Sequence, residues 1–194
     1  MARLIIMGPP GSGKGTQAEH IARHFRIPAI STGEIFRAHV GGKTALGTEA
    51  SKYMDNGEFV PDHVTNAMVQ QRLRDDDARS GFLLDGYPRT TAQIHALDTM
   101  LSGHRQRLDV VVELAVEDDI LVARMLHRAQ EQGRSDDTAP VFRRRLELYR
   151  EQTQAVVAQY TARGIVVGVD GSGNREDITA KAIAAIESAL GEAQ

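Results

Sequence analysis

The sequence predicts an α/β protein with a doubly wound, five-stranded parallel sheet that carries a phosphate-binding loop (a P-loop). Three observations predict this fold. Short apolar runs of strand length recur along the chain, amphipathic stretches of helix length separate them, and a Gly-rich segment follows the first run. This alternation is typical of parallel strands that are buried on both faces. In such sheets ligands bind at the carboxyl ends of the strands.

The apolar runs predict four strands and a weaker fifth, at residues 4–7, 82–84, 110–114, 165–169 and, most weakly, 28–30. The amphipathic stretches predict helices at about residues 14–25, 61–74, 91–101, 116–129, 139–163 and 175–190. Two segments interrupt the alternation: residues 31–60 have a helical pattern, and residues 129–140 are polar and rich in Gly, Asp and Gln. Both are expected to be insertions over the carboxyl edge of the sheet.

Composition limits the possible classes of protein. A length of 194 residues suits one domain, and 41% hydrophobic with 25% charged residues is ordinary for a soluble protein. A net charge of −3 gives no overall basic field, so neither nucleic acid nor a membrane is an expected partner.

The absence of cysteine excludes disulfides, thiol catalysis and Cys-based zinc sites. No apolar run approaches the about 18 residues of a membrane span, and residues 4–7 are too short for a signal peptide, so a cytoplasmic location is expected.

The Gly-rich segment predicts a phosphate site. Its glycines let the backbone curl so that several N–H groups point at a phosphate, and Lys14 can reach the β- and γ-phosphates from the start of a helix. The alternative is a plain strand-to-helix turn. The spacing matches the first seven positions of the phosphate-loop pattern, but Gly15 stands where Ser or Thr would hold Mg²⁺, and Thr16 comes one residue late. Mg²⁺ would then be held mainly through water and nucleotide phosphates. The segment is Gly8-Pro9-Pro10-Gly11-Ser12-Gly13-Lys14-Gly15-Thr16.

Two polar residues follow the predicted strand at 82–84. Asp85 should emerge at the carboxyl end of that strand, where a carboxylate can organise the water shell of Mg²⁺ or simply cap the turn before Gly86. Arg89 follows the stiff Pro88 and can grip a phosphate through two hydrogen bonds, unless it is a surface arginine.

Further arginines lie downstream. Phosphoryl transfer requires that anionic oxygens be neutralised and that two nucleotides be held in line, which arginines can do. Each of them alone could be a solvated surface charge, and Arg143 and Arg144 are predicted to be so. The candidates are Arg124 and Arg128 on one helix face, Arg134 in the polar segment, and Arg145 on the next helix.

Four segments in order carry a resemblance to a known family. They are Gly-Pro-Pro-Gly-Ser-Gly-Lys-Gly-Thr-Gln, Ser31-Thr32-Gly33-Glu34-Ile35-Phe36-Arg37, Asp85-Gly86-Tyr87-Pro88-Arg89 and Gly133-Arg134-Ser135-Asp136-Asp137. Together they resemble the adenylate kinase branch of the nucleoside monophosphate kinases, over essentially the whole chain.

The resemblance implies one P-loop kinase domain over residues 1–194, with a core at 1–30, 61–126 and 138–194, a monophosphate-binding insertion at 31–60 and a short lid at 127–137. It implies a monomer that transfers the γ-phosphoryl group of ATP to AMP with Mg²⁺, which is bound through Asp85 and water, and without zinc. The catalytic set would be Lys14, Arg89, Arg124, Arg134 and Arg145. ATP would contact Gly11, Ser12, Gly13, Lys14, Gly15, Thr16, Arg128 and Gly173. AMP would contact Thr32, Arg37, Glu58, Phe59, Val60, Gly86, Tyr87, Pro88, Arg89, Gln93, Arg134 and Arg145.

Thr32 and Gln93 bear on the acceptor. The related kinases that act on UMP and CMP commonly have Ala and Asn at these positions, and both residues here match the adenine type. A Gln side chain donates and accepts at once, so it can bind both N1 and the amino group of adenine. Thr32 could also cap a helix. The alternatives are a UMP/CMP kinase, another small-molecule kinase on the same scaffold, and a non-catalytic nucleotide sensor.

Overall fold

The structure is a computed structural model that describes residues 2–132 and 138–192, apart from the side chains of 126 and 128–132. Its five strands form one parallel sheet in the order β2-β3-β1-β4-β5, flanked by helices, so the predicted fold class is confirmed. Every predicted strand is present, within one residue at each end. The strands are β1 (Arg3–Met7), β2 (Ala29–Ser31), β3 (Phe82–Asp85), β4 (Val110–Ala115) and β5 (Val166–Asp170).

Successive residues of the central strand point into two different cores. Ile5 belongs to one buried cluster and Ile6 to the other, and both side chains are 1% exposed. Helices cover each face: Leu97 and Tyr160 pack in the first cluster, and Ile21 packs in the second. This two-sided burial explains why the strands are continuous apolar runs rather than alternating patterns.

The helices follow the amphipathic stretches closely. The predicted helix at 139–163 is interrupted by a π-helical turn, Tyr149–Thr153, which adds a residue to one turn and leaves no mark in the hydrophobic pattern. A 3₁₀ turn also occurs at Asp76–Ala78, and no helix in the described parts of the chain is long and apolar enough to cross a membrane. The α-helices are α1 (Lys14–Phe25), α2 (Thr32–Gly41), α3 (Ala45–Met54), α4 (Asp62–Arg72), α5 (Thr91–Ser102), α6 (Asp118–Gln132), α7 (Ala139–Leu148), α8 (Gln154–Ala162) and α9 (Arg175–Glu192).

The strand register determines which polar segments meet. Ile6 of β1 lies opposite Asp85 of β3, so the Gly-rich segment after β1 and the Asp85–Arg89 segment after β3 leave the sheet side by side. The same strand β3 pairs with β2, where Ser31 lies opposite Asp85. Three polar segments therefore converge at the carboxyl edge of the sheet.

Candidate active site

The Gly-rich loop connects β1 directly to α1. Gly13 has a φ of 91°, a left-handed conformation that lets the chain turn into the helix at Lys14. Gly11 has a φ of 83°, and a Cβ atom there would lie 2.9 Å from the carbonyl oxygen of Leu121 in α6. The loop is thus wound tightly against α6, and the N-terminus of α1, with its free amide groups and positive dipole end, lies at its end.

Two cationic side chains lie against this loop. The Lys14 ammonium donates hydrogen bonds to the carbonyl oxygens of Gly8 (2.7 Å) and Pro9 (2.8 Å). Arg124 of α6 donates from Nη1 to the carbonyl oxygen of Ser12 (3.2 Å). Both cations are therefore positioned beside any anion that the loop amides bind.

Asp85 faces the loop from the end of β3. The Ser31 hydroxyl donates to Asp85 Oδ2 (3.4 Å), and a Cβ atom on Gly15 would lie 3.9 Å from the same oxygen. No group of three or more His, Cys, Asp or Glu side chains that could hold a metal occurs among the described residues. A single carboxylate beside a phosphate loop fits a Mg²⁺ ion that keeps water and phosphate ligands, because Mg²⁺ dehydrates reluctantly.

Thr32 lies at the start of α2 but does not cap it. Ser31 is the capping residue, since its hydroxyl accepts the hydrogen bond of the Glu34 amide (3.4 Å), so the alternative that Thr32 is the cap is wrong. The Thr32 hydroxyl instead donates to the carbonyl oxygen of Gly86 (3.0 Å), and the residue is 3% exposed. This bond joins the start of α2 to the segment that follows β3.

Arg89 has three charged neighbours: the Asp85 carboxylate and two other arginines, Arg37 and Arg145. Its Nε donates to the carbonyl oxygen of Gly86 (2.8 Å), and its guanidinium carbon lies 5.1 Å from the centre of the Phe59 ring. Burial is the main cause that lowers the pKa of Arg89 to about 10; Asp85 opposes this shift, and the nearby charges of Arg145 and Arg37 contribute to it. Three arginines from three separate segments therefore converge here.

Gln93 of α5 is held at both ends of its amide. Its Oε1 accepts a hydrogen bond from the Arg89 backbone N–H (2.7 Å), and its Nε2 donates to Asp62 Oδ1 (2.6 Å). The residue is 2% exposed. Sequence reasoning missed Asp62, because an Asp that follows a Pro at a helix start is explained locally by the positive helix end. Its long-range partner leaves no signal in the sequence.

These elements surround one cleft of about 570 Å³. Tyr149 and Thr153 of the π-helical turn also line it, which sequence reasoning missed, and the Thr153 hydroxyl donates to the carbonyl oxygen of Arg89 (3.3 Å). The Arg128 side chain and all of Arg134 lie outside the described residues. Every other predicted site residue lines the cleft: Gly11, Ser12, Gly13, Lys14, Gly15, Thr16, Thr32, Arg37, Glu58, Phe59, Val60, Asp85, Gly86, Tyr87, Pro88, Arg89, Gln93, Arg124, Arg145 and Gly173.

Comparison with known proteins identifies the family. The family model described as "Adenylate kinase" matches residues 6–165, which is most of the chain. The chain belongs to the adenylate kinase family. It is 58% identical to a protein named adenylate kinase from Pseudarthrobacter chlorophenolicus, over 97% of this chain and 98% of that protein. It is 56% identical to an adenylate kinase from Renibacterium salmoninarum, over 96% of this chain and 97% of that protein, and 50% identical to one from Thermobifida fusca, over 96% and 98%.

In this adenylate kinase family member, the prediction that Arg144 is a solvated surface charge is wrong, because Arg144 forms an ion pair with Glu58. Its Nε lies 2.7 Å from Glu58 Oε1, and its Nη2 donates to Glu58 Oε2 (3.4 Å). The pair ties α7 to the segment between α3 and α4. The adjacent Arg145 donates from Nη2 to the carbonyl oxygen of Met54 at the end of α3 (3.5 Å), so neighbouring residues of α7 hold the same part of the cleft wall. Arg143 is exposed, as predicted.

The low pKa of Arg89 leads to a prediction about stability. Since this pKa is lower in the folded protein than the ordinary value, the charged form opposes folding at neutral pH, and that cost decreases only as the pH rises above about 10. We expect Arg89→Met not to lower the thermal midpoint of the ligand-free protein at pH 7, measured by calorimetry. A fall of about 3 °C, equivalent to about 1 kcal/mol, would contradict this account of the charge. Arg163→Met, which removes an arginine paired with Asp98 outside the cleft, is the matched charge control.

Proposed function

We propose that the protein catalyses the reversible, Mg²⁺-dependent transfer of the γ-phosphoryl group of ATP to AMP, giving two ADP, and so maintains the balance of adenine nucleotides. The observation that carries the proposal is that one cleft joins the Gly-rich loop, with Lys14 and Arg124, to the cluster of Arg37, Arg89 and Arg145. Membership of the adenylate kinase family supports the same reaction.

The loop side of the cleft is the proposed ATP site. The amides from Gly11 to Thr16 bind the phosphates at the N-terminus of α1. On binding, Lys14 exchanges the loop carbonyl oxygens, which it contacts in this structure, for phosphate oxygens. Gly173 lines the same cleft at the end of the segment that follows β5, and Arg128 adds an ATP contact in this proposal.

The opposite side of the cleft is the proposed AMP site. Its arginines bind the monophosphate, and Thr32 and Gln93 line the part of the cleft that takes the base. The segment Glu58–Phe59–Val60 forms the wall between α3 and α4, and Phe59 stacks beneath Arg89. Residues 31–60, which contain α2 and α3, are therefore assigned as the AMP-binding insertion.

The chemistry requires no general base. An oxygen of the AMP phosphate is already anionic; it forms a bond to the γ-phosphorus while the bond to the bridging oxygen of ADP breaks. Lys14, Arg89, Arg124 and Arg145 neutralise the charge that develops on the transferring oxygens. We assign residues 127–137 as a short lid that closes over the cleft and excludes water, which would otherwise accept the phosphoryl group. Arg134 is proposed to act from this segment on the AMP side.

Asp85 would hold Mg²⁺ through water molecules. Its Oδ2 lies beside Gly15, where a Cβ atom would come within 3.9 Å of that oxygen. When bound with ATP, the ion supplies charge neutralisation at the β- and γ-phosphates. The proposal includes no zinc, since the chain has no cysteine. It also includes a cytoplasmic location and a monomeric state, without nucleic acid or membrane partners, which agree with the ordinary composition and small net charge.

The acceptor is tested with a panel of monophosphates. With ATP as donor, we expect phosphorylation of AMP to exceed that of UMP, CMP and GMP by at least about a hundredfold in kcat/KM, because a pocket that hydrogen-bonds one base leaves groups unpaired with another. A coupled assay of ADP formation measures this. Faster turnover of UMP or CMP than of AMP would contradict the assignment, and absence of transfer to any acceptor would indicate a nucleotide sensor.

The role of Lys14 is tested by Lys14→Met, which keeps the length of the side chain and removes its charge. We expect kcat/KM to fall by at least about a hundredfold, equivalent to about 3 kcal/mol of transition-state stabilisation. Lys181→Met, which removes the same charge from an exposed position on α9, should leave kcat/KM unchanged. Near-normal turnover by Lys14→Met would refute the role given to this residue.

A further inference from the structure

The hydrogen bonds around Gln93 define the orientation of its amide. A backbone N–H can only donate, and a carboxylate can only accept. The Arg89 N–H lies 2.7 Å from one end of the amide and Asp62 Oδ1 lies 2.6 Å from the other, so the oxygen faces Arg89 and the nitrogen faces Asp62. The reversed amide would place N–H against N–H at one end and oxygen against oxygen at the other.

This orientation leaves one position for a base at each end of the amide. Oε1 keeps one lone pair, and Nε2 keeps one N–H. Adenine presents an amino donor at C6 and an acceptor at N1. The amino group can donate to Oε1, and N1 can accept from Nε2, so adenine complements this orientation of the amide. Hypoxanthine and guanine present an oxygen acceptor at C6 beside an N–H donor at N1, so they complement only the reversed amide.

Asp62 is itself held firmly. Its second oxygen, Oδ2, accepts a hydrogen bond from the Thr90 hydroxyl (2.9 Å), and that hydroxyl accepts one from the Gln93 backbone N–H (3.2 Å). Asp62 is also the first residue of α4, where the positive end of the helix dipole favours a carboxylate. The three residues thus form a closed ring of hydrogen bonds between the starts of α4 and α5.

Asp62 does not contribute to the described wall of the cleft, whereas Gln93 does. Gln93 is the residue of the cleft wall to which Asp62 is hydrogen-bonded, so it is the direct route by which Asp62 can affect the base. We propose that Asp62 is a positioning residue that fixes the Gln93 amide in the orientation complementary to adenine, and so excludes 6-oxopurine monophosphates. The proposal rests on the proposed function, because it concerns the base of the AMP acceptor.

The test compares AMP with inosine monophosphate, which reverses the pattern at C6 and N1 without the extra amino group of guanine. Asp62→Asn keeps the shape of the side chain and removes its acceptor-only character: a carboxamide at position 62 can accept from the Gln93 nitrogen or donate to the Gln93 oxygen, so this position no longer favours one orientation of the Gln93 amide. We expect the ratio of kcat/KM for AMP over inosine monophosphate to fall by at least about tenfold, as for loss of a hydrogen bond to a charged group. The KM for ATP should stay constant. In isothermal titration, the Kd for inosine monophosphate divided by the Kd for AMP should fall by the same factor.

A double-mutant cycle separates this role from a structural one. In a Gln93→Leu background, which has no amide to orient, Asp62→Asn should not change the ratio further. Asp98→Asn, a carboxylate on α5 outside the cleft, should leave the ratio at the wild-type value. An unchanged ratio in Asp62→Asn, or an equal change in the Gln93→Leu background, would overturn the inference alone. A wild-type protein that does not phosphorylate AMP would overturn the proposed function and this inference with it.

Discussion

The parallel pairing of β1 with β3 is the constraint on which the site depends. With Ile6 opposite Asp85, the Gly-rich loop and the segment from Asp85 to Arg89 leave the same edge of the sheet as neighbours. Both strands are buried on both faces, so a one-residue slip would move side chains from one core into the other and disrupt the packing of both. The packing that stabilises the sheet therefore also sets the separation between the two halves of the cleft.

The concentration of positive charge in the cleft is a second constraint, since it opposes the stability of the free protein. The chain as a whole has a net charge of −3, yet Arg37 and Arg145 lie close enough to Arg89 to lower its pKa. Backbone carbonyl oxygens accept hydrogen bonds from two of these side chains: that of Gly86 from Arg89 Nε (2.8 Å) and that of Met54 from Arg145 Nη2 (3.5 Å). This clustering of arginines opposes the stability of the folded protein, a cost that functional sites commonly carry.

The sequence predicted the sheet well, because each strand coincides with a short apolar run that can be recognised without knowledge of the rest of the fold. Every predicted site residue whose side chain the structure describes lines the cleft, because the motifs that carry the family resemblance are themselves local. The sequence did not predict Asp62, which contacts Gln93 only after α4 and α5 have packed together. The ion pair of Arg144 with Glu58 was missed for the same reason, since nothing local distinguishes Arg144 from the exposed Arg143. Contacts between distant segments thus account for what the sequence left out.

In the proposed reaction, a phosphoryl group moves within the cleft from one bound nucleotide to the other. The most direct measurement follows the label from ATP carrying ³²P in its γ-phosphate, mixed with unlabelled AMP, Mg²⁺ and the protein. We expect the label to appear first in the β-phosphate of ADP, in an amount equal to the AMP consumed, with little inorganic phosphate. Label that appears mainly as inorganic phosphate, or ATP that persists unchanged beside AMP, would contradict the proposed reaction.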